Sequence, residues 1–171
     1  IVFMVALANY MVKTSAFPSL GEFIASSTSA SGGEEITTSS HNVANAGPVP
    51  IQSYSTTTIR MPRGSIQVQI ANNPTKRELG LSGRKSLDID TGLLFIFPDP
   101  GKYGFWMKDM NFPIDIVWIR PDRTVAGVAR DISPSTFPEL FYPPSDVQFV
   151  LELNAGESDS LGIATDTVFA F

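Results

Sequence analysis

The chain has 171 residues, 43% hydrophobic and 17% charged, which leaves room for one domain and additional segments. A net charge of −5, with no run of Lys or Arg longer than a pair, argues against nucleic-acid binding through phosphates. The absence of Cys excludes disulfides, thiolate metal sites and a Cys nucleophile, and the single His, His41, excludes any site built on two imidazoles.

Residues 1–12, "IVFMVALANYMV", carry no charge and are followed by Lys13. A bilayer takes about 20 apolar residues, so this run alone is too short to cross one. Residues 1–24 are therefore read as a truncated apolar segment, the end of a membrane anchor or the remnant of a signal peptide. An N-terminal core helix is the alternative. Residues 25–63 are rich in Ser, Thr, Gly and Pro, as in "ASSTSASGGEEITTSSHN". Such a stretch buries too little apolar surface to offset the entropy of ordering it, so it reads as a disordered tether. His41 lies within it and is read as solvated.

The folded domain is expected over residues 64–171. In "SIQVQIA", Ile66, Val68 and Ile70 alternate with Gln67 and Gln69, as in a half-buried strand. "NPTKRELGLSGR" reads as a short helix near residues 74–82, with Asn73 as cap, Pro74 in the first turn and Gly80 or Gly83 as stop. "GLLFIF" is a buried strand bounded by Gly92 and Pro98. "DIVWIR" and "TVAGVAR" flank Pro121-Asp122-Arg123 as a hairpin, and "VQFVLEL" and "TVFAF" complete the strands. The fold class is mainly β, α+β at the margin: a compact curved sheet or small barrel with one short helix.

The run "FWMKDMNFPIDIVW", residues 105–118, places Lys108, Asp109 and Asp115 among apolar side chains. A charge withdrawn from water costs several kcal/mol unless it is paired. Pro113 interrupts any continuous strand, so two strands joined by a bend at 111–113 are expected, with Lys108 and Trp106 on one face. In one reading Lys108 packs its stem on Trp106 and pairs with Asp88, Asp115 or Glu152. In the other, Arg84, Trp106 and Lys108 line a pocket for an anionic or polar ligand, with Asp115 as organiser. Asp115 itself faces solvent, accepts backbone N–H groups at the bend, or pairs with Arg84. Signatures of catalysis are weak. "LSGR" is not a nucleophile elbow, "GLSGRKS" lacks phosphate-loop spacing, and no metal-ligand spacing stands out.

The segments "KRELGLSGRKSL", "DTGLLFIF", "FWMKDMNFPIDIVWI", "VAGVARDISP" and "VLELNAGES" together resemble, in order and spacing, the domain of unknown function 192 (DUF192) family. The resemblance implies a compact mainly-β domain of prokaryotic origin, often secreted or anchored, with no established biochemical role. It also shows departures. Ser82 and Leu93 stand where the family pattern has Met, and Asp109-Met110 where it has Asn-Thr. An ionised Asp109 accepts hydrogen bonds where an amide would donate.

The expectation is an extracytoplasmic, envelope-tethered binding or accessory module. It would be monomeric and without metal or cofactor, touching the membrane only through its N-terminal segment. Its partner would be a small polar or anionic ligand or an envelope protein, met at Arg84, Trp106, Lys108 and Asp115. Two alternatives stay open. One is a small hydrolase or lyase using Asp109 and Asp115 with Lys108. The other is a structural module that docks a partner through Phe137, Phe141 and Tyr142.

Overall fold

The computed structural model describes residues 53–171. The expectations for residues 1–24, and for residues 25–52 including His41, lie outside the described residues.

Six strands and two short helices follow in the order β1 (Thr56–Met61), β2 (Gly64–Ala71), α1 (Pro74–Leu79), β3 (Thr91–Gly101), β4 (Ile114–Ile119), β5 (Val125–Ile132), β6 (Val147–Asn154) and α2 (Glu157–Ser160). They form one sheet in the order β1-β2-β3-β6-β4-β5. The β2–β3 pair is parallel and its crossover carries α1; the other neighbouring pairs are antiparallel.

The local signals behave as their chemistry requires. The Asn73 side chain accepts the Lys76 N–H at 2.9 Å, Pro74 occupies the first turn, and Gly80 ends the helix at φ 53°. Six residues are too few to hold a helix by themselves. Arg77 anchors this one: buried, it donates to the Ile96 carbonyl at 2.9 Å and lies over the Phe97 ring. The predicted hairpin is β4–β5. "GLLFIF" extends to an 11-residue β3, because Pro98 and Pro100 fall where pairing with β6 shifts register between Ile96 and Gly101. A bulge is where a strand tolerates residues without an N–H.

Both faces of the sheet are apolar, which accounts for the run of six buried residues in β4. One face gathers Ile59, Ile66, Val68, Leu94, Val117, Leu151 and Leu153 with Phe169 from the C-terminal tail. The other gathers Leu93, Phe95, Ile116, Trp118 and Val150 under Leu81, Phe105 and Met107 from the connecting loops. Gly92 sits where strands crowd. A Cβ there would lie 3.0 Å from the Glu152 carbonyl oxygen and from the tips of Leu151 and Leu153. Gly92→Ala is expected to destabilise the domain by about 1–3 kcal/mol in denaturant unfolding, since the backbone oxygen has nowhere to go.

Four expectations are corrected. The domain begins before residue 64: "TTTIRM" is β1, an edge strand that buries Ile59 and Met61, although its three threonines look like part of a stalk. The sheet is open, so the barrel alternative does not hold. "TVFAF" is not a strand, because the tail crosses between the two edges, bridging Val168 to Thr124 beside β5 and Ala170 to Arg60 on β1. Finally, residues 102–113 form loop rather than the first of two strands. Phe105 alone bridges, to Phe141, so shared-face arguments for Trp106 and Lys108 lapse.

Candidate functional site

Strand register lays out a polar strip on the loop-covered face. Thr56, Gln69, Leu93, Glu152 and Ile116 are successive cross-strand partners from β1 to β4, and Thr58, Gln67 and Thr91 form the adjoining row. The connection from α1 to β3 arches over this strip. Between them lies a cleft of about 170 Å³ lined by Thr56, Gln67, Gln69, Arg84, Ser86, Asp88 and Thr91, with Val68, Leu87 and Gly92.

The arch is held from two sides. From the 102–113 loop, the Asn111 side chain donates to the Arg84 carbonyl at 2.8 Å. Ser82 donates its hydroxyl to the Lys108 carbonyl at 3.0 Å, and the Gly83 N–H meets the Asp109 carbonyl at 2.8 Å. Gly83 takes a φ of 74°, which glycine adopts without steric cost. At the other end, Thr91 donates to the Asp88 carbonyl at 2.6 Å and Asn154 to the Leu87 carbonyl at 3.2 Å. Arg84 is thereby aimed across the strip. One nitrogen donates to Gln69 Oε1 at 2.8 Å, and its plane lies 5.4 Å over the Tyr54 ring. That leaves other guanidinium N–H groups for a ligand. Gln67 donates its amide to Thr58 at 3.1 Å, so its carbonyl oxygen remains to accept.

Of the predicted site residues, Arg84 lines the cleft. Trp106 and Lys108 do not. Trp106 packs edge-to-face on Phe137 with ring centroids 5.4 Å apart, and Lys108 is half-buried in a turn whose carbonyl holds Ser82. The segments carrying Arg84 and Lys108 do meet, but through backbone groups.

Asp115 is placed elsewhere again. Fully buried, it does not face solvent, and its donors are not at the 111–113 bend. One oxygen accepts the Asp131 N–H at 2.9 Å. The other accepts the Gly156 and Ser158 N–H groups at 3.0 Å and the Ser158 hydroxyl at 2.6 Å. Gly156, at the start of α2, has no side chain with which to cap it, and Asp115 from β4 supplies the missing acceptor. With both oxygens occupied, the residue is an internal staple rather than a ligand contact.

A further residue belongs to this region. Glu152 is 5% exposed, and its Oε2 finds no hydrogen-bond partner within the described residues. Burial pushes its acid up to about 8, with positive charges, that of Arg84 among them, opposing the rise. Sequence reasoning reached Glu152 only as one possible partner of Lys108. Its signal was a lone acid in the apolar run "VQFVLEL", the same signal that singled out Asp115. Among the described residues no group of three or more His, Cys, Asp or Glu side chains is placed to hold a metal ion.

Residues 56–171 match the model of the DUF192 family, described as an uncharacterized ACR. The chain belongs to the DUF192 family. The start of the match coincides with the start of β1, so the DUF192 domain includes the edge strand. Two solved structures share the DUF192 domain's fold. A protein of Sinorhizobium meliloti 1021, described as a candidate transcription regulator, is 29% identical, with a TM-score of 0.65; the match covers 72% of this chain and 97% of that one. A protein of unknown function from Novosphingobium aromaticivorans DSM 12444 is 22% identical, also with a TM-score of 0.65, and the match covers 75% and 94% of the two chains. No curated protein matches this chain.

Proposed function

We propose that the DUF192 domain of this chain is a binding module for a small oxyanionic or polar ligand, tethered at the cell envelope by its N-terminal residues. The observation that carries the binding site is the cleft beside Arg84. Its guanidinium is oriented by Gln69 and Tyr54, and hydroxyl and amide groups surround it. Guanidinium donors in a fixed fork suit carboxylate, sulfate or phosphate groups. Support for the tether is compositional: an uncharged run at 1–12 followed by a Ser/Thr-rich stretch.

The carboxylate-pair alternative is not favoured, since Asp115 has both oxygens occupied by internal donors while Asp109 is exposed on a turn. Nor does a net charge of −5 favour phosphate-mediated nucleic-acid binding, whatever the role of the Sinorhizobium protein.

Sulfate and citrate titrated into the full chain are expected to move the Arg84 Nε–H and Gln69 side-chain amide NMR signals. Arg84→Met is expected to abolish the effect. Signals that stay put, or that shift equally in the variant, would remove the cleft as the binding site. Envelope tethering predicts that the full chain partitions with membranes on cell fractionation and that a chain beginning at Ser53 does not.

A further inference from the structure

Glu152 occupies an unusual place relative to the cleft. Leu93 is the cross-strand partner of both Gln69 and Glu152, so the two polar side chains flank it on the same face. Adjacent strands lie about 4.8 Å apart, which puts the backbones of Gln69 and Glu152 roughly 10 Å apart. Arg84, on the arch, already donates to Gln69 at one end of this row. On its other side Glu152 meets Ile116 of β4, and along β6 it lies between Val150 and Asn154 in alternation. The arch over this face carries Arg84, Lys85 and Asp88; the 102–113 loop carries Lys108 and Asp109; Glu157 of α2 holds Asn154. Arg84 is a charged side chain from this set whose field reaches Glu152.

A buried carboxyl with an unpartnered oxygen is stable only while protonated or while given a counter-charge. The Arg84 guanidinium has a neutral partner, Gln69, and an aromatic face, Tyr54, and among the described residues it forms no ion pair with a carboxylate.

We propose that Glu152 is a proton-controlled competitor for Arg84: protonated, it leaves the guanidinium to an oxyanion in the cleft, and ionised, it draws the guanidinium inward as its counter-ion and weakens anion binding. This rests on the cleft being the binding site. Proton and anion binding are then linked positively. An oxyanion on Arg84 raises the midpoint at which Glu152 ionises, and ionisation of Glu152 lowers oxyanion affinity by the same factor.

The test uses the full chain labelled with ¹³C in its Glu carboxyl groups, with sulfate as a probe whose charge is constant over the range studied. Wild-type affinity for sulfate is expected to fall about tenfold as Glu152 ionises, and to lose that dependence in Glu152→Gln. Without sulfate, the Glu152 midpoint should rise in Arg84→Met and stay near the wild-type value in Arg84→Lys. A midpoint indifferent to Arg84→Met overturns the coupling, whether or not sulfate binds. So does a sulfate affinity at Arg84 that does not change as Glu152 ionises. A midpoint that moves with Arg84→Met, in a chain whose Arg84 signals ignore sulfate, keeps the Arg84–Glu152 coupling and instead overturns the binding role of the cleft.

Discussion

Asp115→Ala is expected to lower the unfolding free energy of the domain by about 3–5 kcal/mol, read as a shift of the denaturant midpoint at unchanged slope. The size follows from what the carboxylate holds. Three backbone N–H groups and one hydroxyl converge on it in a place with no exposure to water. Truncation leaves the Ser158 N–H and hydroxyl buried, and the Asp131 and Gly156 N–H groups part-buried, without an acceptor, and each fully buried group costs about 1–3 kcal/mol before the structure relaxes. It also uncaps α2 and frees the connection from β6 to the tail.

Two companion variants separate this account from simple loss of volume. Asp115→Asn keeps one oxygen, but turns an NH₂ group toward donors, so its loss should come within about 1 kcal/mol of that of alanine. Ser158→Ala deletes the 2.6 Å hydroxyl bond alone and should cost about 1 kcal/mol. An Asp115→Ala protein as stable as wild type would mean that water reaches these donors.

Glu152→Gln is expected to do the opposite: to stabilise the domain in alkaline solution and to flatten its dependence on pH. In the folded chain burial raises the acid from 4.5 to about 8, with positive charges, that of Arg84 among them, opposing the rise. Between those values the unfolded chain has released its proton and the folded chain has kept it. Each step up in pH therefore favours unfolding. Below about pH 4.5 both states are protonated and the stability contribution is complete; it is lost as pH rises toward 8, and above that the loss is constant. The full span is on the order of 5 kcal/mol. Glutamine carries no proton to lose, so the difference between variant and wild type should grow from near zero at low pH to that value at about pH 9. Urea unfolding at a series of pH values measures it directly. Equal slopes for the two proteins would show that Glu152 ionises freely in the fold.

Much of the architecture was legible in local chemistry. Period-two alternation in "SIQVQIA", the Asn73-Pro74 start and Gly80 stop of α1, and the Pro-led turn between "DIVWIR" and "TVAGVAR" are decided by neighbouring residues, and each reappears in the structure. Edge features were less legible. "TTTIRM" contributes only two buried side chains, so its periodicity is faint until β2 is beside it. The "TVFAF" tail has strand composition but spans two edges instead of running along one, and composition carries no information about that.

The sequence by itself determined a mainly-β domain of the DUF192 family, its short capped helix, and Asp115 as an acid in an apolar run that demands partners. It also marked Arg84 as a residue suited to an anion. Only the tertiary structure decided what those residues do. The donors to Asp115 come from positions 16, 41 and 43 residues away along the chain. The placing of Gln69, with Arg84 on it, and Glu152 in one cross-strand row depends on the order of β2, β3 and β6 in the sheet. The physical reason is one of range. Turns, caps and alternation are settled by energies within a few residues, whereas the fate of a buried charge is settled by whichever distant backbone the fold brings to it.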